Sequence, residues 1–190
     1  MRRFAFALAS LLLAAALAFL SIDRWGGAFV RAALANLAVV AWSSFVLPLR
    51  GLPRFQRYYE LRRWERSGRL YRALGVPIFR AIVRRGPLSI FNRALPKAWH
   101  SHDVERIERE VRAAEAAHGV AFGIILALAV VALVRGEVAR AAWLAVLDLP
   151  LNLYPALLQR YHRLRLDEHL RRGEFVRPGE SGPVDTPPKG

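Results

Sequence analysis

Apolar residues fall along this chain in long unbroken runs rather than at the intervals of an amphipathic helix or strand. Phe4 to Ile22 holds 19 residues without a charge, Ala32 to Leu49 holds 18 with Asn36 as its strongly polar position, and Ala116 to Val134 holds 19 including His118. About 20 residues of α-helix cross the roughly 30 Å hydrocarbon layer of a bilayer, so each run predicts a transmembrane helix. A fourth run, Ala141 to Leu158, is broken by Asp148, Pro150, Asn152 and Pro155 and still reads as a span, because neighbouring helices accommodate proline in a membrane. Carboxylate and amide groups are costly in lipid and must face the bundle interior, which makes Asp148 and Asn152 site candidates. The fold class expected is all-α, a polytopic membrane protein with about four transmembrane helices and a basic, partly amphipathic-helical cytoplasmic loop.

The segments between the runs give the organisation. Residues 1–49 hold the first two spans, 50–115 a basic loop with interfacial helices, 116–158 the third and fourth spans, 159–175 a basic extension, and 176–190 a tail rich in Pro, Gly and Ser that reads as disordered. In the loop, Tyr58, Leu61, Trp64, Tyr71 and Leu74 recur near helical spacing among Arg62, Arg63, Arg66, Arg69 and Arg72, the mark of a helix lying in a membrane interface. Ser67-Gly68 is a potential break, and Gly75-Val76-Pro77 should end it. A second helix is expected to start near Ser101 or Asp103 and to run through Glu105, Glu110 and Glu115 into the third span. The first run has a rival reading as a secretory signal, since Arg2-Arg3 precedes it and Ala16-Leu17-Ala18 lies near its end; its apolar stretch exceeds the roughly 7–15 residues usual for such signals.

Charge then orients the chain. The protein carries 29 Lys+Arg against 15 Asp+Glu and no cysteine, so disulfides and thiolate chemistry are excluded. Arg50 to Arg112 holds 16 basic and 6 acidic residues, whereas Asp23 to Arg31 and Arg135 to Arg140 hold two basic residues each. Lys and Arg are retained on the cytoplasmic side, which places the long loop and both termini inside. Seven basic residues from Gln159 onward agree with that orientation. Nucleic acid is not an expected partner, because no recognition fold accompanies the basic residues; anionic membrane lipids are the nearer one.

Two constellations can carry chemistry. Glu105, Glu110, Glu115 and His118 approach the membrane from the basic side on one expected helix. At about 100° per residue, Glu115 lies some 60° from His118 and Glu110 some 80° on its other side, so either could orient the imidazole as a base for a hydroxyl. The plain alternative is a histidine capping its neighbours at the interface. Where the fourth span leaves the membrane, Asn152, Gln159, Arg160, Tyr161, Arg163 and Arg165 are dense in donors. The amides could stabilise an oxyanion and the guanidinium groups could hold phosphate or carboxylate. Positive-inside anchoring accounts for the arginines alone, but poorly for the amides. His100-Ser101-His102-Asp103 could supply metal ligands, though loop histidines are ordinarily solvated, and no metal site is expected.

The same residues resemble a known family, the small bacterial membrane acyltransferases typified by glycosyl-4,4'-diaponeurosporenoate acyltransferase of carotenoid biosynthesis. The resemblance is carried by Glu105, Glu110, Glu115 and His118 ahead of an apolar span, and by Asn152 followed by Gln159-Arg160-Tyr161 and Arg163-x-Arg165-Leu166. It covers about a third of the chain and departs at His162, where Asn is expected after Arg-Tyr, and at Pro155, which is shifted by one. The resemblance implies transfer of a fatty acyl group to a sugar hydroxyl of a membrane-borne glycosyl carotenoid or related glycolipid. The implied partners are an acyl donor, acyl-CoA or acyl carrier protein, and that acceptor; no cofactor is implied. The roles expected of the residues are His118 with Glu115 or Glu110 as base, Asn152 and Gln159 at the oxyanion, and Arg160, Tyr161, Arg163 and Arg165 on the substrate. A non-enzymatic scaffold that holds anionic lipid is the alternative.

Overall fold

A computed structural model describes residues 2–20, 27–50, 59–85 and 104–172, and every regular element among them is helical. Helix α1 (Arg2–Leu20) and α2 (Ala28–Arg50) are followed by two short helices, α3 (Arg69–Ala73) and α4 (Val76–Arg85). The long α5 (Val104–Val134) turns at Gly136 into α6 (Val138–Asp148), which passes through one π-helical turn (Leu149–Leu153) into α7 (Tyr154–Arg171). Three stretches are long and apolar enough to cross a membrane: Ala28–Leu47, Arg106–Val134 and Val138–Arg171. Nearer the N-terminus the apolar helix Ala5–Ala16 is shorter. The His100 to Asp103 cluster, the helix start expected at Ser101 or Asp103, and the tail expected to be disordered lie outside the described residues.

The chain divides into two compact units, Met1–Glu60 with Arg112–Arg160, and Leu61–Val111 with Tyr161–Gly190. The first is a helical bundle in which α2 packs against α1 and α6. Its core joins Ala32, Ala35 and Val39 of α2 to Ala121, Ile125, Ala129 and Ala132 of α5 and to Ala141 and Leu144 of α6. These are mostly alanines at three- and four-residue spacing. Lipid tails are as apolar as any core, so membrane helices associate through close backbone approach rather than hydrophobic burial, and small side chains permit it. The outward side chains of the same helices are large and apolar: Leu34, Leu37 and Phe45 of α2, and Leu126, Val130 and Leu133 of α5, are exposed. That inversion, small inside and large outside, is what lipid as the surrounding solvent selects. At the start of α2, Phe29 meets Trp143 of α6 edge-on, with ring centroids 5.0 Å apart.

The second unit buries larger side chains. Val104, Ile107 and Val111 lie on one face of α5 at helical spacing and bury against Leu166 and Leu170 of α7. Residues 63–67 form turns rather than the helix that the spacing of Tyr58, Leu61 and Trp64 predicts. A buried polar knot explains the difference. Glu65, almost fully buried, accepts the Arg62 backbone N–H at 2.8 Å and the Tyr71 hydroxyl at 2.8 Å. Both carboxylate oxygens are thereby satisfied in a turn, a use of the chain that competes with helix. Gly68 follows with φ 62°, and α3 starts immediately after it. The turn at Leu74 and Gly75 ends α3 as expected, yet a helix resumes at Val76 with Pro77 in its first turn. There the missing proline N–H has no helical acceptor to serve, so the residue starts a helix as readily as it stops one.

Candidate functional site

Polar side chains inside the first unit converge from three helices on the π-helical turn. Asn36 of α2 is wholly buried and donates Nδ2 to the Ala32 carbonyl at 3.0 Å. Its donor is thus committed to its own helix, and its Oδ1 faces Asn152, which donates Nδ2 to it at 3.0 Å. The same Asn152 Nδ2 donates to Asp148 Oδ1 at 2.7 Å. An amide nitrogen carries two protons, so both are used, and what Asn152 has left to offer is its carbonyl oxygen. That oxygen is buried without a hydrogen-bond partner, as are Asp148 Oδ2 and His118 Nδ1. The His118 ring lies against the Asn152 side chain and the Leu151 backbone. Asp148 and Asn152 are both essentially inaccessible to solvent.

The turn that presents these groups follows from its prolines. Pro150 and Pro155 have no N–H to return to the carbonyls four residues earlier, those of Val146 and Leu151. The helix widens to close through the Tyr154 N–H to the Leu149 carbonyl, five residues apart. His118 meets the backbone at Leu151, the residue that Pro155 leaves without its usual helical donor.

One boundary of the first unit holds a buried ion pair. Glu115, 1% exposed, accepts Arg160 Nη1 at 2.9 Å, and Arg160 Nη2 reaches the Glu60 carbonyl at 3.3 Å. Glu115 therefore serves Arg160, and Arg160 is anchored to protein. A buried pair of this kind costs about 3–5 kcal/mol to break by removing one partner, so its first consequence is to pin α5 to α7. The Arg112 guanidinium lies over the Tyr59 ring at 5.5 Å in the same unit. Gln159 has a buried Oε1 without a partner. Glu110 belongs to the second unit and pairs with Arg106 one turn earlier on α5 at 2.9 Å.

In the second unit, Tyr161 and Arg165 line a cleft of about 290 Å³. Tyr161 also packs its ring against Tyr71 at 5.9 Å between centroids, while Arg163 is buried. The residues singled out by sequence thus fall into separate settings: His118 and Asn152 side by side, Glu115 with Arg160, Glu110 with Arg106, and Tyr161 with Arg165 at the cleft. Sequence reading noted Asn36 as the polar exception in its run but gave it no role. Its partner is 116 residues away, and pairing of that range has no local signature.

Comparison with known proteins adds the decisive observation. The model of the glycosyl-4,4'-diaponeurosporenoate acyltransferase family matches residues 55–172, more than half of the 190-residue chain. The chain belongs to this family. Neither a curated protein nor a solved structure matches it. The glycosyl-4,4'-diaponeurosporenoate acyltransferase match runs from just before the second unit to the end of α7, so it contains Glu110, Glu115, His118, Asp148, Asn152, Gln159 and all four substrate-side residues. Asn36 lies outside it. Membership makes acyl transfer in carotenoid biosynthesis the activity of the family, and three membrane-length helices are compatible with a membrane protein.

Proposed function

We propose that the protein transfers a fatty acyl group from an activated thioester to a sugar hydroxyl of a glycosylated carotenoid, at the cytoplasmic face of the bacterial plasma membrane. The family match supports the reaction class. The single structural observation that carries the site assignment is the buried contact of His118 with Asn152 at the π-helical turn. Ionisable and amide side chains inside a membrane bundle are expensive and mark functional sites, and π-helical turns recur at such sites.

In this reading His118 is the general base. It takes the proton of the acceptor hydroxyl as the oxygen attacks the thioester carbonyl; the C–O bond forms, the C–S bond breaks, and the proton passes to the departing thiolate. Asn152 is a positioning residue: with both amide protons held by Asn36 and Asp148, its unpaired Oδ1 beside the ring is the acceptor that takes one imidazole N–H in the reaction and leaves the other nitrogen basic, the division of labour that a carboxylate performs in a catalytic triad. Gln159 is the remaining amide for the tetrahedral oxyanion. The Glu115–Arg160 pair fixes the helix that carries Gln159. Four spans, with α1 as the first, keep both termini inside.

The test is expression of the protein with its glycosyl carotenoid acceptor and mass spectrometry of lipid extracts. His118→Ala should lower acylated product by about 10²–10⁴-fold, the usual worth of a general base. Asn152→Ala should act in the same direction. Undiminished product in both variants would remove these roles.

A further inference from the structure

Arg160 is committed to Glu115 and to the Glu60 carbonyl, and Arg163 is buried, so the anionic part of a donor must find its cations elsewhere. The cleft of the second unit supplies them. Arg66, Arg72, Arg165 and Arg171, all exposed, line about 290 Å³ together with Asp167 and Glu168. The two acids are already neutralised: Asp167 pairs with Arg171 at 3.1 Å, and Glu168 with Arg172. Arg72 is steered over the cleft by a 3.4 Å hydrogen bond from Nη2 to the Ser67 carbonyl. Arg66 and Arg165 have no carboxylate partner among the described residues. With Arg72, whose Nη2 bond is to a neutral carbonyl, they make three guanidinium groups around one concavity without a carboxylate partner among the described residues, a planar, permanently charged donor set of the kind that phosphate oxygens satisfy best. The volume sits at the low end for ligand pockets, which suits a phosphate-bearing end group rather than an acyl chain.

We propose that this cleft is a binding site for a phosphate ester. Two sources carry that chemistry, a coenzyme A thioester and a phospholipid headgroup; the choice of coenzyme A as first probe rests on the acyl-transfer reading.

Full-length protein in phosphatidylcholine nanodiscs is titrated with coenzyme A, and wild type, Arg66→Gln/Arg165→Gln, Arg66→Lys/Arg165→Lys and Arg84→Gln are compared. Wild type should bind, more weakly as salt is raised. The double Gln variant should lose about 10- to 100-fold in affinity, one charge-assisted contact or more; the Lys pair should lose less, and Arg84→Gln should match wild type. If the Gln pair does not fold, the Lys pair carries the test through its partial loss. If coenzyme A does not bind but the Gln pair alone abolishes a wild-type preference for phosphatidylglycerol vesicles, the site stands with a lipid headgroup as its ligand. Equal behaviour of wild type and both pairs toward both probes overturns it. Binding is read without turnover, so absence of acylated product from wild type would defeat the acyl-transfer reading and leave this result intact.

Discussion

Asn152 shows how one side chain's hydrogen-bond inventory decides its role. Sequence spacing made it an oxyanion donor beside Gln159, since an amide two turns from another can share a face. The structure engages its whole donor capacity, at 3.0 Å with Asn36 and 2.7 Å with Asp148, which turns the acceptor end toward His118. The assignment has a sharp consequence. Asn152→Asp preserves size but exchanges the donor for a second carboxylate oxygen opposite two acceptors, whereas Asn152→Leu removes the polarity without adding a repulsive group. Leaving buried polar partners unsatisfied costs about 1–3 kcal/mol, more when charge is involved, so thermal unfolding in detergent should rank wild type above the leucine variant and that above the aspartate variant. The exchange Asp148→Asn with Asn152→Asp restores one donor to one acceptor and should recover part of the loss. If Asn152→Asp were as stable as wild type, the amide would have to be turned the other way. That Asp148 and Asn152 face inward was legible in the sequence, because lipid penalises both. Which atoms they share was not, since the partners Asn36 and His118 come from other helices.

At the scale of elements, apolar run length gave reliable helices and poor detail in between. The runs over α2, α5 and α6–α7 are helical because nothing but an internally bonded helix satisfies a backbone in lipid. In the second unit local side-chain chemistry competes with helix, and there Glu65 and Gly68 replaced part of an expected helix with turns. Gly68 is, with Gly75 and Gly136, one of three positions among the described residues where a positive φ rather than contact favours glycine. Its φ is 62°, and a Cβ there would meet Leu164 Cδ2 at 3.5 Å, an ordinary contact. Any penalty of Gly68→Ala is therefore backbone strain, about 1–2 kcal/mol, with no steric part to add. Gly68→Asn should cost less, because asparagine visits the left-handed region more readily. Chemical or thermal unfolding of both variants checks the order; an alanine variant equal to wild type would show that the turn relaxes. The cleft beside Gly68 was invisible in sequence for a related reason. Arg66 and Arg72 read as two of the basic positions of an interfacial helix, and only the turn brings them round to Arg165 of α7.

The whole molecule is organised by where its charges stop. At 1.5 Å per residue, the 31 residues of α5 extend about 46 Å, well beyond a hydrocarbon layer of about 30 Å, and the surplus is the charged end from Val104 to Arg112. Residues Val138–Arg171 exceed the layer likewise, with Arg160 to Arg171 as their surplus. Helix α1 is the sensitive element. Its 19 residues extend about 28 Å, enough to span only if nearly all of it is used. It packs on α2 as a bundle member would, and Arg2 and Arg3 at its start are costly inside lipid and favour the cytoplasmic side. Those facts lead to opposite positions for the N-terminus with and without this span, because the second helix must cross from outside to inside if the basic loop is to remain cytoplasmic. A protease-sensitive tag at the N-terminus should thus be protected in intact cells and cut after permeabilisation, as should one after Arg172. A tag inserted at Gly136, the exposed turn between α5 and α6, should be cut in intact cells. Exposure of the N-terminal tag in intact cells would leave three spans, and its loss from protein that keeps its C-terminal tag would show that the first helix is a cleaved signal. In either case the turn at Gly136 should be cut from outside, because its side is expected to follow the basic loop alone.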